Sequence, residues 1–91
     1  MSGERRGSAE ILNVKGLHAR AAAKFCKTVE RFNADVRVAR NGTEVSGTSI
    51  MGLMMLAAGR GCTIEIAVSG ADADAAFEAV MRLVANKFDE E

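Results

Sequence analysis

The Asn41–Gly42 pair separates two segments in which apolar and polar residues alternate, and it constrains the fold more than any other local feature. Segment 35–40 places Val36 and Val38 on one side of an extended chain, which predicts a half-buried strand. Asn-Gly favours a two-residue hairpin turn because both residues tolerate a positive φ. We therefore expect a short return strand over residues 43–47, antiparallel to the first.

The spacing of apolar residues predicts the remaining elements. Further strands are expected over residues 8–14 and 62–69, where apolar residues partly or fully alternate with polar ones. Helices are expected over 19–31 and 73–87, each with one apolar stripe, and over 50–57, which is apolar almost all round. The order β-α-β-β-α-β-α indicates an α+β fold, in which one sheet is covered by helices on one side.

Length and charge limit the organisation and the class of the protein. Ninety-one residues allow one domain, predicted over 8–88, with a flexible tail at 1–7 and a frayed end at 89–91. Twelve basic and twelve acidic residues cancel, so nothing indicates nucleic acid or an anionic membrane as a partner. No apolar run approaches the roughly 20 residues of a membrane span, and no signal peptide is recognisable. We expect a cytoplasmic monomer.

The cysteines do not indicate a metal site or a disulfide framework. Cys26 and Cys62 are too few and too far apart for either, and both are expected as thiols packed in the core. One histidine without a second ligand cluster cannot form a usual metal site, and no Ser-His-Asp arrangement is recognisable. The sequence therefore predicts neither a metal nor a cofactor.

His18 is the only histidine, and it lies where a predicted strand gives way to a predicted helix. The first N–H groups of a helix have no intrahelical partner, and the helix dipole adds partial positive charge there. Such a position binds anions, so His18 could carry a phosphoryl group with the backbone N–H groups of Ala19 and Arg20 as donors. The Arg20 guanidinium could add a charge-assisted hydrogen bond. A solvated surface histidine is the alternative interpretation from the residues alone.

Two segments resemble one known family. Residues 16–20, Gly-Leu-His-Ala-Arg, resemble the active-site motif of HPr, the histidine phosphocarrier of the bacterial phosphotransferase system. Residues 47–56 resemble the serine-containing helix of the same family, at the expected separation, and the resemblance extends from about Ala9 to about Phe88. It implies the HPr-like open-faced sandwich, a four-stranded antiparallel sheet of order 1-4-2-3 with three helices on one face.

The resemblance also implies a function and partners. His18 is then the residue that accepts a phosphoryl group on Nδ1 from phosphorylated enzyme I, which phosphoenolpyruvate charges. It donates the group to a histidine of an enzyme II A-type domain, and Arg20 is its electrostatic partner. Such a protein is a stoichiometric carrier with transferase-type chemistry. Sugar uptake and the nitrogen-related branch both remain open.

Ser49 and Ala21 raise two further points. In many members of this family the serine at the Ser49 position is phosphorylated by a dedicated kinase, HPr kinase/phosphorylase, but Ser49 could also be only a helix cap. Ala21 stands where the family usually has proline. Alanine is the best helix former, so we expect it to fit and phosphotransfer to survive, with a less rigid presentation of His18.

The helix at 50–57 has more apolar residues than one buried face can use, which indicates a partner surface. The predicted interface consists of Ala19, Ala21, Ile50, Met51 and Met54. An alternative function is a regulatory binding module that acts through Ser49 and this helix without histidine phosphotransfer. The intact Gly-Leu-His motif argues against an idle histidine.

Overall fold

The computed structural model describes residues 4–90. Within them the elements are β1 (Arg5–Glu10), α1 (Ala19–Glu30), β2 (Asp35–Arg40), β3 (Thr43–Ser46), α2 (Ile50–Met55), β4 (Thr63–Ser69), α3 (Ala73–Ala85) and a 3-10 turn (Lys87–Asp89). The predicted order β-α-β-β-α-β-α is confirmed. None of these helices is both long and apolar enough to cross a membrane.

The strands form one antiparallel sheet in the order β1-β4-β2-β3. In the register, β4 lies between β1 and β2, with Ser69 opposite Asp35 and Thr63 opposite Glu10. The β2–β3 hairpin closes through Asn41 and Gly42, which both have positive φ. The predicted antiparallel sheet of order 1-4-2-3 and its Asn-Gly turn are therefore confirmed.

The core lies between one face of the sheet and the helices. Every second residue of β4, from Ile64 to Val68, is buried, as strand geometry requires for a sheet covered on one side. From α1, Phe25 is fully buried against this face, and Cys26 is 4% exposed. Burial raises the pKa of the Cys26 thiol, and the charge of Glu30 raises it further. Cys62 is partly buried against the same core.

The first strand differs from its predicted position. It runs from Arg5 to Glu10 rather than over 8–14, so the predicted tail is wrong for Arg5–Gly7, while Met1–Gly3 lie outside the described residues. The strand carries no large apolar residue, which hid it from a search for apolar alternation. A Cβ at Gly7 would lie 2.8 Å from the Phe77 ring, so this strand is covered by a side chain from α3.

The helix ends also move slightly. The helices α1, α2 and α3 end one or two residues before the predicted residues 31, 57 and 87. Gly52, inside α2, lies where a Cβ would come within 3.0 Å of the Val45 Cβ. The glycine lets α2 pack closely against β3, and this packing offsets a helix-propensity cost of about 1 kcal/mol.

Candidate functional site

His18 is the N-cap residue of α1. Its backbone is extended, with φ −80° and ψ −178°, and its C=O accepts the N–H of Ala22 at 2.8 Å. The His18 side chain makes no capping hydrogen bond. The N–H groups of Ala19 and Arg20 precede the first helical bond and have no intrahelical acceptor. The sequence prediction of a histidine at a helix start with open backbone donors is therefore confirmed in geometry.

A tight loop positions His18. Gly16 has φ +65°, and a Cβ there would lie 2.6 Å from the Ala58 carbonyl oxygen. The N–H of Leu17 donates to the same carbonyl at 2.9 Å, and the Leu17 side chain is buried. The loop is thus fixed against the chain that follows α2, and only glycine fits this close approach with positive φ.

Glu90 contacts His18, and sequence reasoning missed this residue. The distance from His18 Nε2 to Glu90 Oε2 is 2.5 Å, with the two side chains 26% and 13% exposed. Asn13 Nδ2 donates to Glu90 Oε1 at 3.1 Å and to the Gly16 carbonyl at 2.8 Å. The predicted frayed end is therefore wrong for Glu90, whereas Glu91 lies outside the described residues.

The turn before Glu90 explains how the carboxylate reaches the site. Lys87, Phe88 and Asp89 all have φ between 54° and 61°, in the left-handed region. This conformation costs about 1–2 kcal/mol per residue. Phe88 is fully buried, and its carbonyl accepts Lys24 Nζ at 3.0 Å. Complete burial of such a side chain is worth about 1.5–3 kcal/mol and so offsets much of the strain.

The electrostatics favour an ionised Glu90. Desolvation acts to raise the pKa of the Glu90 carboxyl, but the hydrogen bonds from His18 and Asn13 and the charges of His18 and Arg20 lower it below its ordinary value. Arg20 itself is exposed. It borders a cleft that joins this site to two other cationic side chains. The cleft is lined by Val14, Lys15, Arg20, Lys24, Asp89 and Glu90.

Ser49 is the N-cap residue of α2, with φ −109° and ψ 108°. Its Oγ accepts the backbone N–H of Gly52 at 2.9 Å, and the residue is half-buried. The predicted capping role is confirmed. Because the Ser49 side chain is only half-buried, its hydroxyl is a helix cap and also a candidate for modification.

The predicted partner surface is largely exposed but contains one error. Ile50, Met51 and Met54 are 42%, 70% and 40% exposed, and Ala19 is exposed as well. Ala21 is 0% exposed, so its assignment to the interface is wrong. Ala21 is the third residue of α1 and lies on the helix face that packs into the core. Met55, which the sequence did not assign, is 73% exposed and extends the same surface.

Residues 4–90 bring no three His, Cys, Asp or Glu side chains close enough to hold a metal ion. The site around His18 consists instead of one imidazole, the carboxylates of Glu90 and Asp89, and three cationic side chains.

Comparison with known proteins gives consistent matches. A family model described as the PTS HPr component phosphorylation site matches residues 6–86. The chain is 48% identical over 83 residues to phosphocarrier protein HPr of Neisseria meningitidis, covering 91% of this chain and 93% of the relative. It is 44% identical over 80 residues to phosphocarrier protein NPr of Shewanella violacea, covering 88% of each chain. The crystal structure of HPr-C-His from Thermoanaerobacter tengcongensis superposes with a TM-score of 0.91 at 36% identity, covering 96% of this chain and 98% of that one.

Proposed function

The chain belongs to the HPr phosphocarrier family of the phosphotransferase system, and on this basis we propose that His18 is its phosphoryl-bearing residue. Phosphorylated enzyme I, charged by phosphoenolpyruvate, supplies the phosphoryl group to Nδ1 of the ring. A histidine of an enzyme II A-type domain then receives it. The protein is a stoichiometric carrier in this reaction.

The observation that carries the proposal is the open N-terminus of α1. His18 occupies the cap position without capping, so the first N–H groups of the helix keep their hydrogen-bonding capacity. A phosphoryl group on the ring gains from these donors and from the helix dipole. The exposed Arg20 guanidinium can approach the phosphoryl oxygens from the solvent side. Together these groups stabilise the anion without enclosing it, as a relay requires.

Docking of the two protein partners is assigned to the surface of α2 beside the site. Met51, Met54 and Met55 are exposed there, and methionine side chains adapt to more than one partner surface. Ala19 on α1 joins this surface, as the sequence predicted. The relatives include proteins named HPr and NPr, so the proposal covers an acceptor in either the sugar or the nitrogen-related branch. It also places the protein in the cytoplasm, where phosphoenolpyruvate is made, and as a monomer.

Ser49 is proposed as a second, regulatory phosphorylation site, with HPr kinase/phosphorylase as the modifying enzyme. A phosphate on Ser49 lies at a helix N-terminus, where negative charge is favourable within the fold. The same charge beside the apolar Met51 and Met54 opposes docking of a partner. Phosphorylation of Ser49 is therefore expected to weaken phosphotransfer to His18 while the protein stays folded.

The decisive experiment follows the intact mass of the protein with enzyme I and phosphoenolpyruvate. We expect one acid-labile phosphoryl group on the wild type and on Ser49→Ala, and none on His18→Ala. Ser49→Ala is the matched control, because it alters the other candidate phosphorylation site and leaves the imidazole intact. An unlabelled wild type with enzyme I from the same organism contradicts the carrier function. The regulatory module acting through Ser49 is then the remaining candidate.

A further inference from the structure

The segment Lys87–Glu90 folds back onto the start of α1. Its three left-handed residues turn the chain after α3, and the turn is fixed by the buried Phe88 ring. Lys24 of α1 adds a hydrogen bond to the Phe88 carbonyl at 3.0 Å. Glu90, the next residue but one, is thereby delivered to His18 from an element far away in the sequence.

Both oxygens of the Glu90 carboxylate are engaged. Oε2 lies 2.5 Å from His18 Nε2, and Oε1 accepts Asn13 Nδ2 at 3.1 Å. Asn13 is 0% exposed, and its Nδ2 also donates to the Gly16 carbonyl in the loop before His18. A buried amide therefore holds the carboxylate, and the carboxylate contacts one chosen nitrogen of the ring.

We propose that Glu90, held by Asn13, is a positioning residue that fixes the His18 ring with its proton on Nε2 and its lone pair on Nδ1. The inference deepens the proposed phosphocarrier function and rests on it. An ionised carboxylate only accepts hydrogen bonds, so the ring nitrogen that faces it must carry the proton. A neutral imidazole then has its nucleophilic lone pair on the other nitrogen. The contact thus selects Nδ1 independently of the family resemblance.

The transfer step places charge where Glu90 can respond to it. The Nδ1 lone pair forms the new N–P bond, while the N–P bond of the donor histidine breaks and its electron pair returns to the donor nitrogen. Because Nε2 keeps its proton, the phosphorylated ring becomes cationic beside the Glu90 carboxylate. In the onward step the His18 N–P bond breaks, and its electron pair restores the neutral ring. The carboxylate therefore stabilises the ring charge that exists only in the phosphorylated state, as the orienting aspartate of a catalytic triad does for its histidine.

Other charged groups at the site limit the electrostatic repulsion between the Glu90 carboxylate and the phosphoryl group. A phosphoryl group is itself anionic and would repel Glu90. Three cations, Lys15, Arg20 and Lys24, line the cleft together with Glu90 and Asp89. They counter the repulsion, so the carboxylate can act on the ring without excluding the phosphoryl group.

The test compares Glu90→Gln with the wild type in two measurements. The first is the ¹⁵N spectrum of the imidazole in the unphosphorylated protein, which reports the protonated nitrogen. The chain has a single histidine, so the signals need no further assignment. We expect the proton on Nε2 in the wild type and a mixture of tautomers in Glu90→Gln, because an amide can face the ring with either its oxygen or its NH₂ group.

The second measurement is the rate of phosphorylation by phosphorylated enzyme I. We expect a rate about fivefold lower for Glu90→Gln, because part-exposed charge pairs have modest effects. Glu44→Gln is the control, since Glu44 is exposed on β3, opposite Ala39 of β2, and its side chain makes no hydrogen bond or ion pair within residues 4–90. Glu90→Asp, which keeps the charge, is expected to recover part of the rate.

The outcomes separate this inference from the function on which it rests. If the wild type is phosphorylated and Glu90→Gln matches it in both tautomer and rate, the positioning role is overturned and the carrier function stands. If the wild type is not phosphorylated at all, the carrier function itself fails. A changed tautomer with a lower rate, against an unchanged Glu44→Gln, supports the positioning role.

Discussion

Two helix N-termini carry the two candidate modification sites, and they use their cap residues in opposite ways. Ser49 has an extended backbone and accepts the Gly52 N–H with its own side chain. His18 has an extended backbone too, but its side chain makes no capping bond and turns to Glu90. A side chain engaged in capping reduces the need of the helix for another anion. The histidine that does not cap leaves the amides of α1 open for a phosphoryl group.

The side chains that surround the two sites also differ, since those at α1 are charged and those at α2 are apolar. Cationic side chains, Arg20 and Lys24 among them, lie beside the start of α1. Apolar side chains, Met51 and Met54 among them, are exposed on α2. Charge suits the chemistry of a phosphoryl group, and adaptable apolar surface suits docking. The molecule thus separates transfer from recognition over two neighbouring helices.

The largest expected effect comes from removing the Arg20 cation, which borders the cleft beside the transfer site. Arg20→Ala is expected to lower the rate of His18 phosphorylation by about 10- to 100-fold, because a charge-assisted donor to the transferred group is lost. Arg37→Ala is the matched control, since Arg37 is exposed on β2 and pairs with Asp35. Both rates are measured by mass spectrometry of samples that are quenched at successive times after mixing with phosphorylated enzyme I. Equal rates for the two variants would contradict the claim that the cationic surroundings of α1 promote phosphoryl transfer.

Gly16→Ala tests the link between the two regions. The substitution forces a side chain into positive φ and against the Ala58 carbonyl, which follows α2. We expect the free energy of unfolding to fall by about 2–3 kcal/mol.

Gly61→Ala provides the comparison for this loop. Gly61 also has positive φ, but its Cβ would meet nothing within 4 Å, so a loss of only about 1 kcal/mol is expected. Urea denaturation measures both variants. If the two losses are equal, the close approach at Ala58 contributes nothing.

Replacing each cap residue with alanine compares how much Ser49 and His18 contribute to the free energy of unfolding. Ser49→Ala removes a capping bond and is expected to lower the free energy of unfolding by about 1 kcal/mol. His18→Ala removes no cap, only a part-exposed contact with Glu90, so a smaller loss is expected. Thermal unfolding followed by circular dichroism compares them. A larger loss for His18→Ala would mean that the Glu90 contact outweighs a helix cap.

Much of the fold could be predicted because its signals are local. The alternation in 35–40, the Asn41–Gly42 turn and the apolar stripes of α1 and α3 each need only a few neighbouring residues. β1 was misplaced because its residues are charged or small and the apolar cover comes from Phe77 of α3. That cover is a tertiary contact, which a single-sequence pattern does not contain. The strand order came from the family resemblance.

The candidate site likewise contains residues that local sequence predicted and residues that only tertiary contacts determine. The position of His18 at a helix start was readable from local sequence, as was the cap role of Ser49. Glu90 was not, because its approach to His18 depends on three non-glycine residues in the left-handed region, which no sequence rule favours. The burial of Ala21 depended on the rotation of α1 over the core. Asn13, whose amide donates to Glu90, gave no local signal either, because its burial follows from the fold.

The smallest expected effect concerns the Glu90 carboxylate, which contacts the start of α1 and has no counterpart described at the start of α2. The pH dependence of stability tests its contribution. The folded-state pKa of Glu90 lies below its ordinary value of about 4.3, so its stabilising contribution is present above that pH. The contribution is lost as the pH falls through the lowered folded-state value. The difference in free energy of unfolding between wild type and Glu90→Gln should therefore be present at pH 5 and shrink toward pH 3. Urea denaturation across this range measures it, with Glu44→Gln as the reference for an exposed carboxylate. A difference that persists unchanged at pH 3 would show that the carboxylate stabilises the site by its shape rather than by its charge, and the electrostatic distinction between the two helix starts would then rest on the cations alone.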